Sequence, residues 1–201
     1  AELTTTASGA RLLRRGIVDP TDPRDQLLDL PEACLHARPA ALSAYRETLL
    51  APPPPSFFQI EDAARELGSG VASFPRVRVL VLVRGPTASP DDDVILEIKE
   101  IGDALGLGHA PPDVSFDSVQ SRVLHTTRAA WATPSTAPLW GTSEMLGFPV
   151  QVRLQSGGQK TLRVIRLHGK RGTPEALGDL AAHLGAILAR SASREDADGI
   201  A

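Results

Sequence analysis

The chain has 201 residues, of which 42% are hydrophobic and 22% charged, and its formal net charge is −3. This length and composition allow a hydrophobic core to form. The negative net charge and scattered cations exclude a general attraction to nucleic acid or anionic membranes. No apolar run approaches the roughly 20 residues of a membrane helix, and one cysteine, Cys34, excludes an internal disulfide. The sequence therefore predicts a soluble, cytoplasmic protein with neither nucleic-acid nor membrane partners.

Residues 1–55 are predicted to form an N-terminal arm and one helix. Residues 1–28 are rich in Thr, Gly, Asp and Pro and show no sustained period, which is typical of an extended or irregular arm. The spacing of apolar residues predicts a helix over residues 31–50, with Tyr45 on its apolar face. Four prolines at 52–55 end this helix and form a stiff spacer, because proline lacks the amide hydrogen and fixes φ.

Residues 56–193 are predicted to form an α+β body, followed by a polar tail over residues 194–201. Alternating apolar residues predict a strand in each of several segments, and apolar residues at helical spacing predict two helices. The predicted strands are 57–67, 76–84, 94–99, 148–155 and 161–168, the last two as a hairpin. The predicted helices are 117–132 and a C-terminal helix with Thr173 as its N-cap and Pro174 as its first residue. Hairpin connections favour an antiparallel sheet of about five strands, with one packed helix and a long C-terminal helix.

A candidate phosphate-binding loop precedes the strand at residue 76. Its residues are Gly68, Ser69, Gly70 and Ser73. Two glycines two positions apart allow backbone amides to approach an anion closely, and the serine hydroxyls add hydrogen-bond donors. The alternative interpretation of the same residues is a plain turn.

Lys99 is the second candidate for contact with phosphate. In kinases, a glycine loop covers the phosphates and a lysine on a later strand contacts them. Here the glycine loop, a strand, and then a strand carrying Lys99 follow in the same order. The alternative is a solvated lysine that pairs with Glu97 or Glu100.

Longer motifs surround these residues. They are E-L-G-S-G-V-A-S, R-V-R-V-L-V-L-V-R-G-P, D-D-D-V-I-L-E-I-K-E and G-Q-K-T-L-R-V-I-R-L-H-G-K-R-G-T-P-E-A-L. Across about residues 60–190, the chain resembles the uncharacterised bacterial domain-of-unknown-function family 2252, whose members look kinase-like. The resemblance implies a fold like a kinase small lobe that binds ATP with Mg²⁺. It places the phosphates at Gly68, Ser69, Gly70 and Lys99, while Arg153 and Lys160 match other recurrent positions of the family.

The chain departs from the family pattern at three places. The acidic motifs of the form G-D-x-H-x-x-N and N-D-F-D-E are absent from residues 1–201, so the carboxylates that would hold magnesium and orient a nucleophile are missing. The family's A-H-A is replaced by Ser-Ala-Ser at 191–193. Glu97 occupies the position of the small residue under the adenine, and an unpaired buried carboxylate there disfavours adenine binding. We therefore expect no catalytic residue and no metal ligand in this chain.

Two functions from different classes follow from these observations. The first is a partial kinase-like phosphotransferase domain, inactive alone, that needs a missing catalytic half. It would bind the phosphates of a nucleotide through the residues Gly68, Ser69, Gly70, Ser73, Lys99, Arg153 and Lys160. The alternative is a non-catalytic scaffold domain that contacts a protein partner through its sheet or through the basic segment 160–171.

Overall fold

The α+β class predicted from the sequence is confirmed. The structure, a computed structural model, describes residues 3–19, 22–68, 76–87, 89–102, 116–130, 137–155 and 174–197. Its helices are α1 (Glu32–Glu47), α2 (Val119–Ala130) and α3 (Pro174–Ala197). Its strands are β1 (Thr4–Ala7), β2 (Ala10–Leu13), β3 (Gly16–Asp19), β4 (Asp22–Asp29), β5 (Ile60–Leu67), β6 (Arg78–Val83), β7 (Val94–Glu100), β8 (Gly141–Met145) and β9 (Phe148–Leu154).

The chain divides into two compact units. The first comprises Ala1–Leu124 and Ser135–Gln155, and the second comprises His125–Pro134 and Ser156–Ala201. The first unit holds both sheets and α1, and the second holds α3. No helix in the described part of the chain is long and apolar enough to cross a membrane.

The main sheet is antiparallel and has seven strands in the order β3-β4-β5-β6-β7-β9-β8, so the expected number of about five is low. The difference arises mainly in the arm predicted for residues 1–28, which forms four strands. Two of them, β1 and β2, pair as a separate hairpin, and the other two, β3 and β4, extend the main sheet. β1 to β3 have only four residues each, and β4, with the sequence DPRDQLLD, shows no alternation of apolar and polar residues.

The two faces of the sheet carry separate apolar clusters. On one face, β6 and β7 contribute alternate residues, including Val81 and Ile98, to a core that also holds Tyr45 of α1. On the other face, Leu82 and Ile95 pack with residues of the N-terminal strands. The sequence predicted correctly which residues of β6 and β7 share a face, because successive side chains of a strand point to opposite faces.

The side chain of Asp62, in β5, binds the N-terminal segment that carries β2 and Arg15. Its carboxylate accepts hydrogen bonds from the Leu13 amide at 2.8 Å and from the Arg15 guanidinium at 2.9 and 3.0 Å. Burial alone would raise the pKa of Asp62, but the hydrogen bonds from Arg15 and from the backbone lower it overall. The same guanidinium also reaches Asp29 of β4 at 2.8 Å.

β9 lies between two strands. Its partners are β7, with Gln151 opposite Lys99, and β8, with Phe148 opposite Met145. The sequence analysis missed β8, whose residues Gly-Thr-Ser-Glu-Met give no strand-like apolar period. The segment 161–168, predicted as the hairpin partner of this strand, lies outside the described residues, as does Thr173, the predicted N-cap of the C-terminal helix. The helix itself begins at Pro174, as predicted.

Candidate anion-binding site

Lys99 lies near the end of β7, on the face of the sheet opposite α1. Leu96 and Ile98 of the same strand pack into the core that α1 covers, so Lys99 points to the other face together with Ile95. Its direct neighbour on β6 is Arg78, and its direct neighbour on β9 is Gln151. Side chains directly opposite on adjacent strands are within contact range of each other.

Glu97, one of the two carboxylates predicted to pair with Lys99, is bound to two arginines instead. Its side chain is only 2% exposed. One carboxylate oxygen lies 3.3 Å from Nε of Arg78, and the other accepts a 2.5 Å hydrogen bond from Nε of Arg153. A buried carboxylate needs such compensation, and here two cations provide it.

Glu100, the other predicted partner, is also engaged elsewhere. Its Oε2 accepts a hydrogen bond from the backbone amide of Val77 at 2.9 Å. Because neighbouring residues of a strand point to opposite faces, the Glu100 side chain starts from the face opposite that of Lys99. Within the part of the chain that the structure describes, Lys99 makes no ion pair, although two carboxylates are close in sequence.

The surroundings of Lys99 are electropositive. Burial lowers the pKa of Lys99, and the charge of Arg78 lowers it further. The charge of Glu97 offsets part of this decrease, whereas the charges of Arg153 and Arg76 lower the pKa of Lys99 further. Like charges directly opposite on adjacent strands destabilise each other, so a bound anion would relieve the repulsion between Lys99 and Arg78.

Gly68 lies at the same end of the sheet as Lys99. It directly follows β5, and the pairing of Arg65 with Val79 and of Arg78 with Lys99 places β6 between the two residues. Two strand spacings correspond to about 10 Å. The φ of Gly68 is +84°, a conformation that glycine adopts without strain.

The structure describes only one of the other predicted site residues, Arg153. Arg153, whose role the sequence left open, binds Glu97, and its side chain is 34% exposed. Three residues of the predicted loop, Ser69, Gly70 and Ser73, lie outside the described residues, as does Lys160. Gly68 and Lys99 therefore lie at the same end of the sheet with β6 between their strands, whereas Arg153 lies opposite Glu97 in the middle of β7.

Sequence analysis missed Glu66 and Arg78 as members of this cluster. Their side chains are mostly buried and form an ion pair at 3.3 Å. Burial raises the pKa of Glu66, the charge of Arg78 opposes this effect, and the charge of Glu97 adds to it. The alternation of β6 alone does not show that Arg78 lies beside Lys99. That position depends on the register between β6 and β7, which the sequence of one strand does not reveal.

The donor set of this cluster suits an anion. The lysine ammonium, which acts as a point charge, and the backbone amides of glycine-rich loops are common phosphate ligands in proteins. In the described ranges, no group of three His, Cys, Asp or Glu side chains is placed to hold a metal ion. The chemistry that these residues supply is binding and charge neutralisation.

Comparisons of the chain with protein-family models, with curated proteins and with solved structures each find no match. The resemblance to domain-of-unknown-function family 2252 therefore stays a prediction based on the motifs quoted above.

Proposed function

We propose that this chain is a phosphate-binding domain, the nucleotide-side part of a kinase-like phosphotransferase, with Lys99 as the main ligand of the phosphate. The observation that carries the proposal is that Lys99 makes no ion pair with a described residue, while Glu97 and Glu100 are both bound to other groups. A partly buried ammonium without a counter-ion is costly, and an anionic ligand removes that cost.

ATP with Mg²⁺ is the ligand that the resemblance to kinases implies. In this proposal the phosphates are bound by the Lys99 ammonium and by the backbone of the predicted glycine loop, whose first residue, Gly68, lies at the same end of the sheet as Lys99. The adenine fits less well, because Glu97 and its two arginines occupy the position where kinases have a small residue. Catalysis of phosphoryl transfer would require carboxylates and bound Mg²⁺ contributed by sequence beyond these residues.

A scaffold domain is the second candidate, and one observation favours it. Leu146 and Phe148, at the tip of the β8–β9 hairpin, are each 46% exposed. Leu146 also has a φ of +54°, which is unfavourable for a branched side chain. Exposed apolar side chains in a strained turn are a feature of protein-contact surfaces.

Isothermal titration calorimetry with ATP, in the presence and absence of Mg²⁺, separates the two candidates. We expect Lys99→Ala to weaken ATP binding by about 10- to 100-fold, because a hydrogen bond to a charged group contributes about 1.5–3 kcal/mol. Arg38→Ala is the matched control, since Arg38 lies on α1, which covers the other face of the sheet, and its Nε donates a hydrogen bond to the Leu35 carbonyl of the same helix. It is expected to bind ATP like the wild type.

Two outcomes contradict the phosphate-binding proposal. Wild-type protein that binds neither ATP nor inorganic phosphate would leave the scaffold as the better explanation. Equal affinity of wild type and Lys99→Ala would place any nucleotide site elsewhere.

A further inference from the structure

Gly102, just beyond β7, lies directly against the guanidinium of Arg76. A Cβ atom added to Gly102 would lie 2.8 Å from Nη2 of Arg76 and 3.2 Å from its Cζ. Both distances are shorter than normal van der Waals contact, so the guanidinium occupies space that exists only because residue 102 has no side chain. The Arg76 head group therefore lies against the backbone of Gly102, just beyond the end of β7.

Arg76 is charged and exposed, and its head group lies just beyond the end of β7 that carries Lys99. Within the described ranges it forms no ion pair, and Glu100, the carboxylate next to Lys99, accepts a hydrogen bond from the Val77 amide. The charge of Arg76 is among those that lower the pKa of Lys99. Arg76 also precedes Arg78, the direct cross-strand neighbour of Lys99, by two residues.

We propose that Arg76 is a second anion-binding residue of the Lys99 site, positioned by its contact with Gly102, and that the site takes the dianion of a phosphate monoester. This inference rests on the proposed function and names its ligand class. The planar guanidinium presents parallel N–H donors that match two phosphate oxygens, and the ammonium adds a point charge. Two such cations balance the two charges of a terminal phosphate group.

Arg78 and Arg153 are less suited to this role. Each donates to the buried carboxylate of Glu97, and Arg78 also pairs with Glu66. A ligand that recruited either guanidinium would have to compete with a buried carboxylate. Arg76 has no such competitor among the described residues.

The test measures binding of phenyl phosphate and of sulfate by calorimetry. We expect Arg76→Ala and Gly102→Ala each to weaken phenyl phosphate binding at least tenfold, and Arg76→Lys to recover only part of it. Gly102→Ala should keep the fold, because the added Cβ meets the far end of a flexible side chain, and thermal melting checks this. Arg14→Ala removes an exposed arginine of the N-terminal segment and should bind like the wild type.

A pH series adds a readout that a structural role of Arg76 would not change. Phosphate monoesters become dianionic above a pKa of about 6, whereas sulfate is a dianion throughout. Phenyl phosphate affinity should therefore rise between about pH 5 and pH 7 in the wild type, and sulfate affinity should stay constant. In Arg76→Ala the rise for phenyl phosphate should be smaller.

The outcomes separate this inference from the proposed function. If Lys99→Ala weakens binding while the Arg76 and Gly102 variants bind like the wild type, the role of Arg76 is overturned and the role of Lys99 stands. If phenyl phosphate affinity does not change with pH, the dianion is overturned as the ligand form. If the wild type binds neither probe, or Lys99→Ala binds as well as the wild type, both proposals fall.

Discussion

Glu97→Gln is expected to lower the free energy of unfolding by about 3 kcal/mol. Breaking a buried ion pair by removing one partner leaves the other charge without compensation, and here one carboxylate compensates both Arg78 and Arg153. The loss should fall at the lower end of the usual range, because Arg78 keeps its pair with Glu66 and Arg153 is partly exposed. Urea denaturation at pH 7, followed by circular dichroism, measures it.

The control for this prediction is Glu61→Gln. Glu61 pairs with Arg84 at 2.9 Å, but both side chains are about one-third exposed, so its loss should be at most about 1 kcal/mol. If Glu97→Gln destabilised the protein no more than Glu61→Gln does, the buried cluster would not have the energetic role described above.

Tyr45→Ala is expected to destabilise the protein by about 3–5 kcal/mol, the range for removing a large aromatic side chain from a core. Tyr45 is fully buried, and its ring meets that of Phe58 edge to face at a centroid distance of 5.8 Å. Its hydroxyl donates a 2.6 Å hydrogen bond to the Leu139 carbonyl. This side chain therefore joins α1 to the segment that leads into β8.

Tyr45→Phe separates the hydroxyl from the ring. It should cost about 1–3 kcal/mol, because it leaves the Leu139 carbonyl without this donor. Leu35→Ala, at a partly exposed apolar residue of the same helix, is the control and should change stability by less than about 0.5 kcal/mol. A Tyr45→Ala variant as stable as Leu35→Ala would contradict the packing of α1 on the sheet.

The elements that the sequence predicted best are those with a clear period. The side chains of β6 and β7 alternate between the two faces over six and seven residues, and α1 carries apolar residues at helical spacing, so the type and the buried face of these elements could be predicted. For α3 only the helix itself could be predicted, since its residues Leu177, Leu184 and Leu188 are exposed. β1 to β3 have four residues each, and β8 has five, of which Met145 is the one large apolar residue, so these strands are too short to show a period. Their pairing depends on tertiary contacts such as that of Asp62 with Arg15.

The candidate site could be predicted only in part. Lys99 and Gly68 were predicted as site residues from the order of glycine loop, strand and lysine, which the sequence shows directly. The pairing of Glu97 with Arg78 and Arg153 could not be predicted, because it depends on which strands are neighbours and in what register. Arg76 was overlooked for the same reason, since its position depends on contact with Gly102, 26 positions along the chain.

The most direct test of the central claim is an NMR titration of the Lys99 ammonium group. The chain has three lysines, Lys99, Lys160 and Lys170, so the lysine signals are few, and Lys99→Arg assigns the one of interest. In the free protein, Lys99 is predicted to titrate below the ordinary lysine pKa of about 10.4. Addition of phosphate should raise that pKa, because a bound anion favours the charged form. A Lys99 signal with an ordinary pKa that phosphate leaves unchanged would contradict the account.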